Sequence, residues 1–414
     1  MDQELEMWKN AYNVGLDAQL KNIKNTQLTA QINYRKFDNI LEELPEEDGQ
    51  LMGKVNLNQQ FLKGVIRFST LYQLSSGQEQ KVQFLYQMVN PGEGNFQHID
   101  FNSDGVEQAS EFVIAPNPDQ GTHIRVIYYS DEFIKTNNAL FNQNISLSPK
   151  ALWFDKKGVK KIVSYLSIQS NWQLEQKVQD TEGIIYWHPL QTNIDQEQIV
   201  NDRSNIRNSF WINRGGKKMD IQIAQTRISL SNLLITGLDQ RRTEDISMSV
   251  RWNINNNISL RINAADGYKS AEIEQYTERS FRVNTQKLKP ELSYFPSENS
   301  RVILNAEYES FKDIDFNVDN GNIQRFKIES QINSSLGLFE GNFLFSNVKY
   351  DGNPNSPIGF ALLNGLQSGK NYQWVLGINR KINKSLRLGL RYEGRKNGML
   401  DTIHTGNLQF SAFF

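Results

Sequence analysis

Cysteine is missing from all 414 residues. Its absence excludes thiolate nucleophiles and cysteine-ligated metals, and it is common in envelope proteins that cross an oxidising compartment. Net charge is also missing, with 45 Lys and Arg against 46 Asp and Glu. No global field therefore draws the chain to nucleic acid or to another polyanion. There is no run of some 18 apolar residues, the signature of a spanning helix, and mean hydropathy is -0.57. Proline is scarce, at 10 residues, which leaves long stretches free to pair as strands. The opening MDQELEMWKN lacks the basic, apolar and small-residue regions of a signal peptide. The expectation is a chain whose signal was removed or, preferred here, the C-terminal portion of a longer protein.

What the chain does have is alternation. In Ser385 to Glu393, Leu386, Leu388, Leu390 and Tyr392 share one parity, and Arg387, Arg391 and Glu393 the other. In Arg301 to Glu309, Val302, Leu304, Ala306 and Tyr308 oppose Arg301, Asn305, Glu307 and Glu309. Side chains of a strand alternate faces, so these segments make a sheet with one apolar and one polar side. A soluble sandwich shows the same pattern but needs a second layer over the apolar face, and the C-terminal half contains no strongly amphipathic helix to supply one. Segments of about ten alternating residues are what a transmembrane β-barrel requires. The stripe continues through Leu408, Phe410, Ala412 and Phe414.

From Lys160 onward the pattern places strands at 160–173, 201–213, 217–229, 242–254, 257–267, 278–293, 300–311, 322–334, 338–349, 369–381, 384–394 and 402–414. Short connections (Asn213 to Lys217, Ile254 to Asn257, Pro296 to Asn299, Ser334 to Gly337, Ile382 to Lys384) alternate with long polar ones at 174–200, 230–241, 268–277, 312–321, 350–368 and 395–401. That is the up-and-down plan of a barrel with tight turns at one end and long loops at the other. With a periplasmic C-terminus, the long loops are extracellular and the location is the bacterial outer membrane. Ile246, Met248, Val250 and Trp252 face lipid, as do Ile258, Leu260, Ile262 and Ala264. Arg251, Arg261, Asn263, Gln373, Asn379, Arg387 and Arg391 face a hydrated or plugged lumen. Residues 1–89 read as strands (26–36, 52–60, 63–74, 79–89), either earlier barrel strands or part of an upstream region. Residues 90–120 form a turn-rich insertion, and 121–414 form the C-terminal barrel. The fold class is thus all-β, an antiparallel up-and-down transmembrane barrel with an inserted loop segment.

The insertion holds the sharpest motif. Asp100-Phe-Asn102-Ser-Asp104-Gly105-Val106-Glu-Gln-Ala-Ser-Glu111 fits the calcium-loop pattern D-x-[DN]-x-[DN]-G-x5-E at every specified position. Asp100, Asn102 and Asp104 offer oxygens to a hard cation, and Gly105 permits the sharp turn. The Val106 carbonyl adds a backbone oxygen, and Glu111 closes the sphere with both carboxylate oxygens. Phe96 to Ile99 and Phe112 to Ala115 read as extended, so this is a calcium loop in a β environment, with a structural ion as its expected cofactor. The alternative is an acidic surface turn that binds nothing.

Other chemistry is thin. His98, His123, His188 and His404 are scattered without metal-ligand spacing. Gly365-Leu-Gln-Ser-Gly369-Lys370 is one residue short of a phosphate loop and leads into a strand. The pairs Glu42-Glu43 and Glu46-Glu47 read as solvated loop, and neither G-x-S-x-G nor H-E-x-x-H occurs. No enzyme is expected.

Two stretches resemble a family. GNFQHIDFNSDGVEQASEFVIAP with HIRVIYYSDEFIKTNNALFNQNISLSPKALW, and the ending LLNGLQSGKNYQWVLGINRKINKSLRLGLRYEGRKNGMLDTIHTGNLQFSAFF, are similar to segments of large, mostly uncharacterised outer-membrane proteins of Bacteroidota-type bacteria. The matching positions are Asp100, Asp104, Gly105, Glu111, Phe112, Ile124, Arg125, Val126, Gly369, Asn371, Trp374, Tyr392, Glu393, Gly394, Arg395, Lys396, His404, Thr405 and Gly406. The resemblance implies the outer-membrane location and the fold, and a longer N-terminus; it brings no activity. The functional expectation is a structural, transport or assembly barrel. Its partners would be outer-membrane lipid, and other envelope subunits or a missing N-terminal region, with no nucleic acid. A surface adhesin is the alternative, and an outer-membrane hydrolase a more distant one.

Overall fold

A computed structural model describes residues 9–39, 49–179, 198–234, 237–274, 276–315, 318–383 and 385–413. His188, Phe414, the pairs Glu42-Glu43 and Glu46-Glu47, and the greater part of the 174–200 loop lie outside them. The described chain is almost wholly strand. The N-terminal strands are β1 (Lys9–Ile23), β2 (Thr26–Asn39), β3 (Gln50–Phe61) and β4 (Ile66–Met88). Two short strands, β5 (Phe96–His98) and β6 (Phe112–Ile114), precede β7 (His123–Leu147). Then come β8 (Leu166–Gln179), β9 (Ile199–Ile212), β10 (Met219–Leu234), β11 (Gly237–Asn253), β12 (Ile258–Ile273) and β13 (Phe281–Ser297). The last are β14 (Ser300–Asp313), β15 (Gly321–Ser334), β16 (Gly337–Tyr350), β17 (Gly369–Lys381), β18 (Leu386–Asn397) and β19 (Ile403–Ala412). Helix is confined to connections: α1 (Lys150–Trp153), α2 (Val159–Val163) and α3 (Pro357–Leu363).

Each long strand pairs antiparallel with the next. The ladder runs from β1 through β4, crosses directly from β4 to β7, and continues to β19. β5 and β6 pair with each other, and β5 touches the start of β7 at Phe96 and His123. They are an insertion in the β4–β7 hairpin, not rungs of the main sheet. Tight turns follow from local chemistry: Lys24 and Asn25 both take positive φ (48° and 63°) between β1 and β2, the backbone twist that matches a two-residue hairpin.

The two faces of the sheet differ as the alternation requires. Trp252, Leu260, Leu292, Leu304, Ile328, Phe343 and Trp374 lie opposite one another in succession across β11 to β17. Among the described residues no other element covers this face: Ile246 is 62% exposed, Leu376 55% and Phe410 62%. The opposite face is polar yet more enclosed. On it Glu309, 8% exposed, meets Lys269, Lys287 and Arg325, while Glu307 meets Lys289 and Arg325. Arg251 pairs with Asp220, and Arg261 lies 3.8 Å from Glu291. A sheet that turns a continuous apolar band outward and gathers its charges inward is inverted relative to a water-soluble fold. The apolar band needs hydrocarbon against it, and the fold is the antiparallel up-and-down sheet of a transmembrane β-barrel. Among the described residues the buried apolar cluster is small (Val283, Phe311, Ile323, Val348 and Leu363) and sits where α3 packs on the inner face near the long-loop end.

The structure departs from the sequence expectation in several places, among them β1, which is not among the expected strands, and β12, which runs to Ile273 through most of the loop expected at 268–277. β10 runs on to Leu234 and β11 begins at Gly237, so the long loop expected at 230–241 is two extending strands. Their outward Arg227, Glu244 and Arg242 pair with one another beyond the apolar band, where strand backbone is still paired but the surroundings are water. The strand expected from 160 starts at Leu166, because Gly158 (φ 65°) opens the helical turn α2. The connection 148–165 is the long one at the tight-turn end. The strands expected at 63–74 and 79–89 are one strand, β4, and its 25-residue partner β7 has no counterpart in the sequence pattern.

The face assignment has a direct consequence. Replacing Leu376 by Arg is expected to cost about 2–4 kcal/mol of stability in lipid, whereas Gln373→Arg, facing the inner groove beside Glu307 and Glu329, is expected to be close to neutral. Urea unfolding in liposomes checks this, and equal costs would reverse the assignment.

Candidate metal centre and the arm around it

The acidic loop sits at the tip of the long β4–β7 hairpin. Its base is an aromatic pack: Tyr86 stacks on Phe112 with ring centres 4.1 Å apart, Phe96 meets Tyr86 edge-on, and His98 and His123 flank Phe112. Arg125 lies over the rings of Phe84 and Phe96. β5 and β6 pair across this pack in the register Phe96↔Ile114, Gln97↔Val113 and His98↔Phe112. The extended flanks expected on both sides of the motif are present, and they bring its two ends together.

Between them the loop closes on itself. Asp100 accepts from the backbone N–H groups of Asp104 and Gly105, and Asn102 Oδ1 accepts from Asp104 N at 3.0 Å. Asp104 Oδ1 accepts from Val106 N at 2.7 Å, and its Oδ2 accepts from Asn102 Nδ2 and Gln108 Nε2. Ser103 and Gly105 take positive φ (60° and 74°). At Gly105 the missing Cβ makes this conformation accessible, which is why the motif needs glycine there.

Glu111 returns to this loop from the far end of the motif. It is 2% exposed. Its Oε2 accepts from Gln108 N at 3.2 Å and lies 3.0 Å from His98 Nε2, while Oε1 is buried without a hydrogen-bond partner. One oxygen each from Asp100, Asp104 and Glu111 lie within 4.8 Å of one another. Of the five candidate ligands, the structure therefore gathers Asp100, Asp104 and Glu111, holds Asn102 against Asp104, and leaves Val106 on the exposed rim. A buried carboxylate oxygen with no donor costs free energy unless a cation or water meets it. Converging hard oxygens of this kind fit calcium. His98 escapes sequence reasoning: alone it reads as a loop residue, and only the β5–β6 register brings it to Glu111.

The segment following the loop reaches across the lumen. A short 3-10 turn, Pro118–Gln120, presents Asp119. Both its carboxylate oxygens accept from the Arg395 guanidinium on the inner face of β18, 276 positions away in sequence. Pro116 lies against Gly365 in the connection after α3, where a Cβ on Gly365 would come within 2.6 Å of the proline ring. The Arg395 side chain is 10% exposed. In this setting its hydrogen bond holds the Asp119 carboxyl below the ordinary value of 3.8, against the opposing effect of burial. β4 and β18 are not neighbours in the ladder, so this contact exists because the sheet curls and the arm spans its interior.

No family model matches the chain, and no curated protein matches it. Among solved structures, it is similar to the siderophore receptor PirA from Acinetobacter baumannii (10% identity, TM-score 0.42), over 97% of this chain and 64% of that one. It is similar to the FrpB iron transporter from Neisseria meningitidis (9%, TM-score 0.42), over 94% and 60%. Outer-membrane expressed OmpT of Vibrio cholerae follows at 6% and 0.29, over 85% and 90%. The chain spans less than two thirds of the length of the first two. Likenesses of this strength transfer no activity, substrate or partner.

The Asp119 contact has a defined pH response. A carboxylate held below 3.8 in the docked arm contributes fully above that value, and its contribution is lost as pH falls through the lower, docked value. Hydrogen exchange of the amides at 117–121, corrected for intrinsic rate, is expected to accelerate between pH 6 and pH 3 in the wild type. In Asp119→Asn it should be fast at both, and a pH-independent wild type would contradict the assignment.

Proposed function

We propose that this chain is an outer-membrane β-barrel protein with a transport role, and that the loop Asp100–Glu111 holds a structural calcium ion. The observation that carries the first part is the inversion of the sheet: an uncovered apolar band outside and an ion-paired polar face inside. An inward groove of about 290 Å³, lined by Lys289, Asn305, Glu307, Arg325, Asn342 and Gln373 among others, is suited to water and hydrophilic solutes, and no catalytic step is assigned to it. Long loops on the cell surface and a periplasmic C-terminus belong to the same reading, as do partnership with outer-membrane lipid and completion of the barrel by further envelope protein. The observation that supports calcium is the unpartnered, buried Oε1 of Glu111 beside Asp100 and Asp104. The ion would neutralise carboxylates that otherwise repel one another and so hold the loop closed.

Two measurements test these parts separately. Purified protein in liposomes is expected to admit small hydrophilic solutes once the arm is removed by deleting residues 90–121; impermeability would remove the transport role. Terbium, a luminescent calcium substitute, is expected to bind the wild type and be displaced by calcium. Glu111→Gln should weaken it by at least roughly tenfold through loss of the bidentate ligand, with the heat-modifiable migration of the barrel unchanged. Unaltered binding in Glu111→Gln and Asp104→Ala would show that the loop is an acidic turn and not a metal site.

A further inference from the structure

The arm has three properties that the barrel does not require. Its first is length: β4 and β7 have 23 and 25 residues, against 12 to 17 in the other long strands, β19 being shorter still. Its second is a break in the ladder. The pairs Gln80↔Phe133 and Val82↔Tyr129 leave one residue of β4 opposite three of β7. Such a bulge bends a strand pair and weakens the local ladder, and it separates the wall half of the hairpin from the half that carries the acidic loop. Its third is a polar attachment at the far side, Asp119 on Arg395, backed by the Pro116–Gly365 contact.

The attachment lies over the inner groove. A second, smaller cavity is walled by Pro116 and Asn117 of the arm together with Ser346, Asn371 and Arg395 of the barrel, and it shares Leu344 and Gln373 with the larger groove. The arm therefore forms the roof where the inner face of β16 to β18 opens toward the long loops. Arg395 is enclosed and Asp119 about a third exposed; removing Asp119 leaves the guanidinium unpaired and removing Arg395 takes away the contact itself, so the docked state depends on both.

We propose that residues 83–128 form a lid over the lumen, hinged at the bulge of the β4–β7 hairpin and latched by Asp119 on Arg395. The docked arm is the shut state. Release of the latch lets it swing out on the hinge and uncovers the polar groove. The calcium loop is at the moving tip, where an ion keeps the lid compact without touching the latch. This inference rests on the transport reading for its purpose but not for its geometry.

The absence of native cysteine makes the test clean. Pro116→Cys with Gly365→Cys places the two Cβ atoms about 3.4 Å apart, close to disulfide range; because Gly365 has positive φ, Asn117→Cys with Asn397→Cys, two residues that line the same small cavity, is the second pair, joined by a short bis-maleimide. In liposomes, both pairs are expected to crosslink, and the crosslinked protein to admit a hydrophilic sugar at least roughly tenfold more slowly than protein in which the latch is removed by Arg395→Ala or Asp119→Asn, because losing the guanidinium, or leaving it enclosed and unpaired, disfavours docking by about a tenfold step or more. Arg395→Ala should also lower the crosslinking yield. Crosslinking that is insensitive to Arg395→Ala overturns the latch. Equal sugar entry in the crosslinked and latch-free forms, when the protein lacking residues 90–121 does admit sugar, overturns the lid. If that deletion variant admits none, the transport reading and the lid's purpose fail together, while the crosslinking result still decides the geometry.

Discussion

A backbone N–H or C=O in hydrocarbon has no water to turn to, and every other feature of this molecule follows from that constraint. Strand pairing satisfies those groups edge to edge, but it leaves one whole face of side chains against lipid. That face must be apolar, and the row from Trp252 to Trp374 across β11 to β17 is the result. Strict alternation then commits the other residue of each pair to the interior, whatever its polarity. Charges placed there are too enclosed to remain alone. Glu309 is held by three cations and Glu307 by two, so the polar face is a network of local pairs and carries little free charge.

The same constraint explains why the unusual chemistry lies at the loop end. Between the turn and the edge of the apolar band, a strand has no freedom to leave the ladder. Beyond it, β10 and β11 continue as a ribbon with charged pairs outside, and β4 and β7 continue into an arm with its own aromatic base. There the chain can bend at a bulge, gather Asp100, Asp104 and Glu111, and reach back over the lumen to Arg395. A rigid wall and one long excursion divide the labour: the wall sets position, and the excursion supplies a loop suited to an ion and a contact that can be broken.

Most of the wall is legible in the sequence because lipid enforces the alternation residue by residue. Ile246, Met248, Val250 and Trp252 announce their face without help from any neighbour. β7 is not legible, since Asn137, Asn138, Asn142 and Asn144 blur its two parities and its register comes from β4. β1 does carry a readable stripe, Tyr12, Val14, Leu16, Ala18 and Leu20, but no proline or glycine marks its turn at Lys24 and Asn25, and it is not among the expected strands. The metal-loop spacing is local and can be read, including its extended flanks. The partners that complete it cannot. His98 reaches Glu111 only through the β5–β6 pairing, and Asp119 reaches Arg395 only once the whole sheet has curled.

The claim on which all of this rests is that even and odd positions of a strand meet different solvents, lipid outside and water inside. Single cysteines placed one at a time from Asn371 to Ile378 on β17, in an otherwise cysteine-free chain reconstituted into liposomes, test it most directly. Positions 373 and 375 should react with a water-soluble maleimide, while an environment-sensitive probe at 372, 374, 376 and 378 should be quenched by brominated lipid. Uniform labelling along the strand, or quenching at the odd positions, would contradict the account.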